Sequence, residues 1–115
     1  MKQQIEKILR NHRKKKITGE DLKTSAVLIP LFYNQGQYHV LLTERSEEVD
    51  FHKGQVCFPG GRREPSDSSL LQTALREAEE EISLKAEDVE ILGEFDDNLT
   101  LTSNYVISPF VARIP

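Results

Sequence analysis

The chain has 115 residues, 37% of them hydrophobic and 30% charged, with a net charge of −4. That is room for about one compact domain, and aliphatic clusters such as Ala26-Val27-Leu28-Ile29 and Val40-Leu41-Leu42 separate it from disordered chains. No apolar run reaches the ~18–20 residues that cross a bilayer, and Lys and Arg interrupt the amino terminus where a signal peptide would be apolar. One cysteine, Cys57, excludes an internal disulfide and a cysteine-based zinc cluster. The expectation is a soluble, cytoplasmic, single-domain protein.

Residues 1–23 carry eight Lys/Arg against three Asp/Glu, while the rest carries seven against sixteen. A basic arm on an acidic body raises the question of a polyanionic partner. No aromatic residue interleaves with these cations as base stacking requires. The favoured reading is therefore a helix from Lys2 to about Lys16, ended by Thr18-Gly19, with Ile5, Ile8 and Leu9 docked and Arg13 to Lys16 solvated. Thr24 to Tyr33 and Tyr38 to Thr43 are β-favouring runs around Asn34-Gln35-Gly36, the pattern of a hairpin. Pro30 inside the first run calls for an edge position or a bulge. Residues 44–57 read as a polar loop leading into a short strand near Gln55 to Phe58, and Pro59-Gly60-Gly61 as a break. Cys57 reads as a small buried hydrophobe rather than a nucleophile. A helix follows, with Asp67, Ser68 or Ser69 as N-cap and capping-box spacing from Ser69 to Gln72. Val89 to Phe95 and Tyr105 to Ile114 are two further strands. The order predicts mixed α and β structure, with helices packed on a small mixed sheet.

Leu70 to Leu84 carries the chemistry. Leu71, Ala74, Leu75, Ala78 and Ile82 fall within one helical arc and form a core stripe. Glu77, Glu80 and Glu81, at i, i+3 and i+4, share another face. Each close pair of these charges repels by about 1 kcal/mol in water and about 4 kcal/mol at an effective dielectric of 20. Arg76 is the only cation between residues 64 and 84. A divalent cation would relieve the repulsion, and hard carboxylate oxygens suit Mg²⁺ or Mn²⁺ with phosphate oxygens completing the shell; a plain solvated acidic face is the alternative. Just upstream, Gly60-Gly61 lets backbone approach a ligand without Cβ obstruction, and loop N–H groups can meet phosphate oxygens. The three histidines, His12, His39 and His52, are too scattered to suggest a metal site.

Gly61 to Leu84 resembles the Nudix box, G-x5-E-x7-R-E-U-x-E-E-x-G-U, where U is aliphatic. Here it runs Gly61, five residues, Asp67, eight residues, then Arg76-Glu77-Ala78-Glu79-Glu80-Glu81-Ile82-Ser83-Leu84. Asp67 stands for the first glutamate, one residue is added before Arg76, Ala78 is a small U, and Ser83 replaces the last glycine. Upstream, Leu41-Leu42-Thr43-Glu44-Arg45-Ser46, Gly54 and Phe58-Pro59-Gly60-Gly61 resemble the extension of the coenzyme A pyrophosphatase branch, with Asp50 where that pattern has its second arginine.

The resemblance implies the Nudix fold, an α/β/α sandwich around a mixed sheet, and a metal-dependent hydrolase of a phosphoanhydride joined to a nucleoside. The substrate it implies is coenzyme A or an acyl-CoA, cleaved to 3′,5′-ADP and (acyl-)4′-phosphopantetheine. Glu77, Glu80 and Glu81 match the metal-binding glutamates, with Mg²⁺ or Mn²⁺ as cofactor. Glu80, Glu81 and Arg76 are the catalytic set, Arg76 matching the box arginine that orients glutamates of the loop and helix by ion pairing, and the spacing leaves open which glutamate is the base. Substrate contacts are assigned to Arg45, a bidentate phosphate grip or a strand-end surface charge, and to Gly60, Gly61 and Arg62. Partners expected are the small-molecule nucleotide substrate, with no nucleic acid and no membrane; a homodimer is left open. Two other functions stay in view: a Nudix pyrophosphatase acting on ADP-ribose or a dinucleoside polyphosphate, and a catalytically poor Nudix-like binding module. The latter follows from a chain stopping at Pro115, which predicts a core of residues 24–115 lacking C-terminal elements, an unpartnered Val106 to Ile114 strand, and a sheet without apolar cover.

Overall fold

The β-favouring run after the basic segment forms one long strand, β1 (Lys23–Asn34), and the rest of the sheet is built on it. The structure, a computed structural model, describes residues 2–19, 21–44, 56–100 and 104–115. Helix α1 (Lys2–Asn11) precedes β1; β2 (Gln37–Val40), β3 (Thr43–Glu44), β4 (Val56–Cys57) and β5 (Gly60–Arg62) follow it. Then come α2 (Leu70–Ile82), a 3₁₀ turn at Ala86–Asp88, β6 (Glu90–Glu94), β7 (Asn98–Leu99) and β8 (Tyr105–Arg113). The main sheet is ordered β2-β1-β8-β6, with β5 also on β1 and β7 also on β8, while β3 and β4 pair separately. β1 and β8 run parallel from Lys23↔Tyr105 to Leu31↔Arg113, and the other pairings are antiparallel. No helix among the described residues is long and apolar enough to cross a membrane.

Among the described residues, one helix covers each face of the sheet. Ala26, Leu28, Phe110 and Ala112 meet Ala74 and Ala78 of α2, with Leu70, Leu71, Leu84, Val89 and Ile91 around them. Four alanines let the helix lie close to the strands. On the opposite face Leu9 of α1 packs with Leu92 and Val111, flanked by Ile5, Ile29 and Leu31. This is the expected α/β/α sandwich. It corrects the expectation of an unpartnered last strand, because β8 lies between β1 and β6, its Ser108 to Ala112 buried continuously as a strand covered on both faces requires.

Two prolines occupy strands without disturbing them. Pro30 is fully buried in a central strand rather than at an edge or bulge. A residue's N–H and C=O point to the same side of a strand, and the carbonyl of Pro30 accepts from the N–H of Leu41. Its missing N–H therefore faces the gap between β5, paired at residues 25–27, and β2, paired at 31–34. Pro109 repeats the device: its carbonyl accepts from Phe95, between the β6 and β7 pairings.

The Gly60-Gly61 break is also corrected, since these glycines form β5, antiparallel to β1. A Cβ on Gly60 would lie 2.3 Å from the Ala26 carbonyl oxygen, so only glycine allows this approach. The hairpin turn has positive φ at Gln35 (51°) and Gly36 (81°), the twist that two-residue hairpins favour. Helix α1 ends at Asn11, five residues before its predicted end at Lys16, because downstream backbone donors are claimed elsewhere. The N–H of Lys15 donates to Asp96 Oδ1 (2.8 Å) and that of Ile17 to Asp97 Oδ2 (3.1 Å).

Candidate active site

Helix α2 begins at Ser69, whose hydroxyl accepts from the N–H of Gln72 at 3.1 Å. Gln72 returns the interaction to Ser68, N–H and hydroxyl, rather than to Ser69. Asp67 is released from capping and does something else. Its side chain is 2% exposed, and its Oδ2 accepts from the N–H of Glu64 (2.9 Å) and the hydroxyl of Thr73 (2.9 Å). Arg76 Nε donates to Oδ1 at 3.0 Å and Nη2 to Oδ2 at 3.1 Å, a bidentate ion pair. The Arg76 guanidinium, then the Glu64 N–H, hold this carboxyl well below the usual carboxylate range, and Asp67 in turn raises Arg76 above its ordinary value.

The remaining donors of Arg76 point at the predicted site. Nη2 donates to the Arg62 carbonyl at 3.0 Å. Nη1 donates to Glu77 Oε1 at 2.9 Å and reaches Glu80 Oε2 at 3.4 Å, with Glu64 Oε1 at 3.8 Å. All five guanidinium N–H groups thus have acceptors. Gly61 of β5 lies directly against this group: a Cβ there would meet the Glu77 carboxyl carbon at 2.6 Å. The Gly-Gly pair thus leaves room for a carboxylate, in a strand rather than in the expected loop.

The structure therefore brings Arg76, Glu77, Glu80, Gly61 and the Arg62 carbonyl together. Glu77 is mostly covered and Glu80 is 59% exposed. Glu81, exposed on the next turn position, follows Glu80, and the Arg62 side chain is exposed. Arg45, with Ser46, Asp50 and Gly54, lies outside the described residues. Glu64 and Thr73 were not singled out from sequence; the available signal was a threonine six residues after Asp67 beside the core stripe. Among the described residues no three His, Cys, Asp or Glu side chains already converge as a metal cage. Glu77 and Glu80 instead share the cationic Arg76 Nη1. Their hard carboxylate oxygens are the donor type that suits a divalent ion.

The site lies within a segment, residues 22–111, that matches the NUDIX domain family model. The chain is 45% identical over 91 residues to NudL of Yersinia enterocolitica, a Nudix hydrolase itself uncharacterized, covering 79% of this chain and 46% of that protein. It thus spans about half the length of the curated relatives it matches. Among solved structures, the C. elegans Ap4A hydrolase superposes with a TM-score of 0.68 at 18% identity, over 81% of this chain and 68% of that one. The NUDIX domain of Shewanella oneidensis NrtR, complexed with ADP ribose, gives 0.64 at 24% identity, over 94% and 69%. These two likenesses bear on the fold, which the family model and the relative at 45% identity extend to ancestry: the chain belongs to the Nudix family.

Proposed function

We propose that this domain hydrolyses the phosphoanhydride of coenzyme A or an acyl-CoA, giving 3′,5′-ADP and 4′-phosphopantetheine or its acyl form. The observation that carries a hydrolytic site is the Arg76 fan, which holds Glu77, seated against Gly61, together with Glu80. The coenzyme A assignment is supported by the Leu41 to Gly61 signature, in which only Asp50 departs from the branch pattern.

Nudix hydrolases work with divalent metal ions. A bound cation neutralises phosphate oxygens and activates water. Glu77 and Glu81, one helical turn apart, would hold one; Glu80 would hold a second or accept the proton of the attacking water. The water oxygen bonds to one phosphorus, the bridging P–O bond breaks, and the leaving phosphate departs as an anion. Arg76 keeps Glu77 and Glu80 oriented, and Arg45 and Arg62 contact the anionic substrate.

The test is hydrolysis of coenzyme A by the purified chain with Mg²⁺ or Mn²⁺, and with EDTA, resolving products. Metal-dependent release of 3′,5′-ADP is expected. Turnover of ADP-ribose or a dinucleoside polyphosphate but not coenzyme A would shift the substrate, and a folded chain that binds metal but turns over none of them would be a binding module.

A further inference from the structure

We infer that Thr73 is a positioning residue for the carboxylate pair, acting through Asp67 and Arg76. The inference rests on the proposed function, in which Glu77 is a cation ligand and Glu80 is a second ligand or the base. A threonine inside a helix ordinarily turns its hydroxyl back to the carbonyl four residues earlier. Thr73 has that option, with the Ser69 carbonyl at 3.2 Å, yet its single hydroxyl proton has a shorter path to Asp67 Oδ2 at 2.9 Å. Thr73 is 0% exposed, so no water substitutes for this donor.

Oδ2 of Asp67 is the more heavily loaded oxygen. It accepts from the Glu64 N–H, the Thr73 hydroxyl and Arg76 Nη2, whereas Oδ1 accepts from Arg76 Nε. The first two donors fix the plane of the carboxylate, and the bidentate pair passes that plane to the rigid guanidinium fork. The fork has no slack, because Nη2 is also tied to the Arg62 carbonyl and Nη1 spans Glu77 and Glu80. The aspartate, one methylene shorter than the glutamate of the family pattern, is held from the helix side by Thr73. The cluster spans the loop, the helix and β5, so a loosened Asp67 changes where Arg76 Nη1 stands relative to both carboxylates.

The experiment compares wild type, Thr73→Val, Thr73→Ser and Thr73→Ala. Val keeps the volume without the hydroxyl, Ser restores the hydroxyl, and Ala supplies a second hydroxyl-free variant should Val fail to fold. Two readouts are taken on folded protein: solvent exchange of the Arg76 Nε–H by NMR, and Mn²⁺ affinity by water-proton relaxation. Val and Ala are expected to speed Nε–H exchange about tenfold and to weaken Mn²⁺ binding by about five- to tenfold, at or below the low end of losses seen when partners of metal ligands are removed. Ser is expected within about twofold of wild type on both readouts. A lowered melting temperature with both readouts unchanged makes Thr73 merely structural and overturns the inference, as does unaltered Nε–H exchange alone. If wild type binds no Mn²⁺, the cation reading fails separately, while Nε–H exchange still decides whether Thr73 fixes Arg76.

Discussion

Asp67 and Arg76 show how one ion pair organises a charged surface. Three glutamates on one helix face repel, and Arg76 answers two of them while anchored to a carboxylate that has almost no exposure. Because the Asp67 pKa is lowered by Arg76 and the Glu64 N–H, its contribution to stability is present above the unfolded-state value of about 4 and is lost as pH falls below it. Urea midpoints should therefore separate wild type from Asp67→Asn at pH 7, with the gap closing as pH is lowered below about 4; a gap independent of pH would contradict the ion-pair account. Ala at Glu77 or Glu81 should abolish most Mg²⁺-dependent turnover, by about tenfold or more, with an unchanged far-ultraviolet spectrum. Near-normal turnover would refute their assignment as ligands.

Elements are ended here by specific residues. Helix α2 closes at Ser83, with φ of 57°, its N–H bonded to the Glu79 carbonyl. This is the position where the family pattern has glycine. The left-handed region costs a residue with a Cβ about 1–2 kcal/mol, and glycine gives back roughly half of that as unfolded-chain entropy. Ser83→Gly should thus stabilise the domain by about 0.5–1 kcal/mol, visible as a raised melting temperature with m-value unchanged. The two prolines work differently: each is tolerated because the missing donor faces a gap between two short neighbouring strands. Their sequence signal is real but ambiguous, since a proline marks a missing ladder bond without saying whether an edge or an internal gap accounts for it.

Across the whole molecule, the segment before the family match packs against the sheet. Leu9 packs so closely on β6 that a Cβ at Gly93 would stand 2.6 Å from its own Cβ. His12 bonds Asp96 at 2.7 Å, and Lys14 reaches Asp97 at 3.1 Å while lying over the Phe110 ring. Asp97, pushed up by burial, is still held below its ordinary value by Ser108, the Ile17 N–H and Lys14. The expected docking is thus corrected in detail. Ile8 is 67% exposed, and the Lys14 side chain, expected to be solvated, is 13% exposed. Leu9→Ala should cost about 2–5 kcal/mol, and Gly93→Ala should displace α1; both should make residues 2–17 the first site of proteolysis. Protection equal to wild type would mean that α1 contributes little to the sheet's cover.

The sequence by itself determined what short-range repeats encode. The i, i+3, i+4 spacing defined α2 and its acidic face, Asn34 to Gly36 defined the hairpin, and the box spacing identified the family, because each depends on residues a few positions apart. The tertiary structure alone decided the rest: that Gly60-Gly61 is a strand, that Asp67 is a buried anchor rather than a cap, and that the basic arm ends on Asp96 and Asp97. These depend on partners brought together from different elements, more than 80 residues apart for the arm's bond to Asp96. Such pairings exist only once the chain has closed around its core, so no local pattern in either partner announces the other.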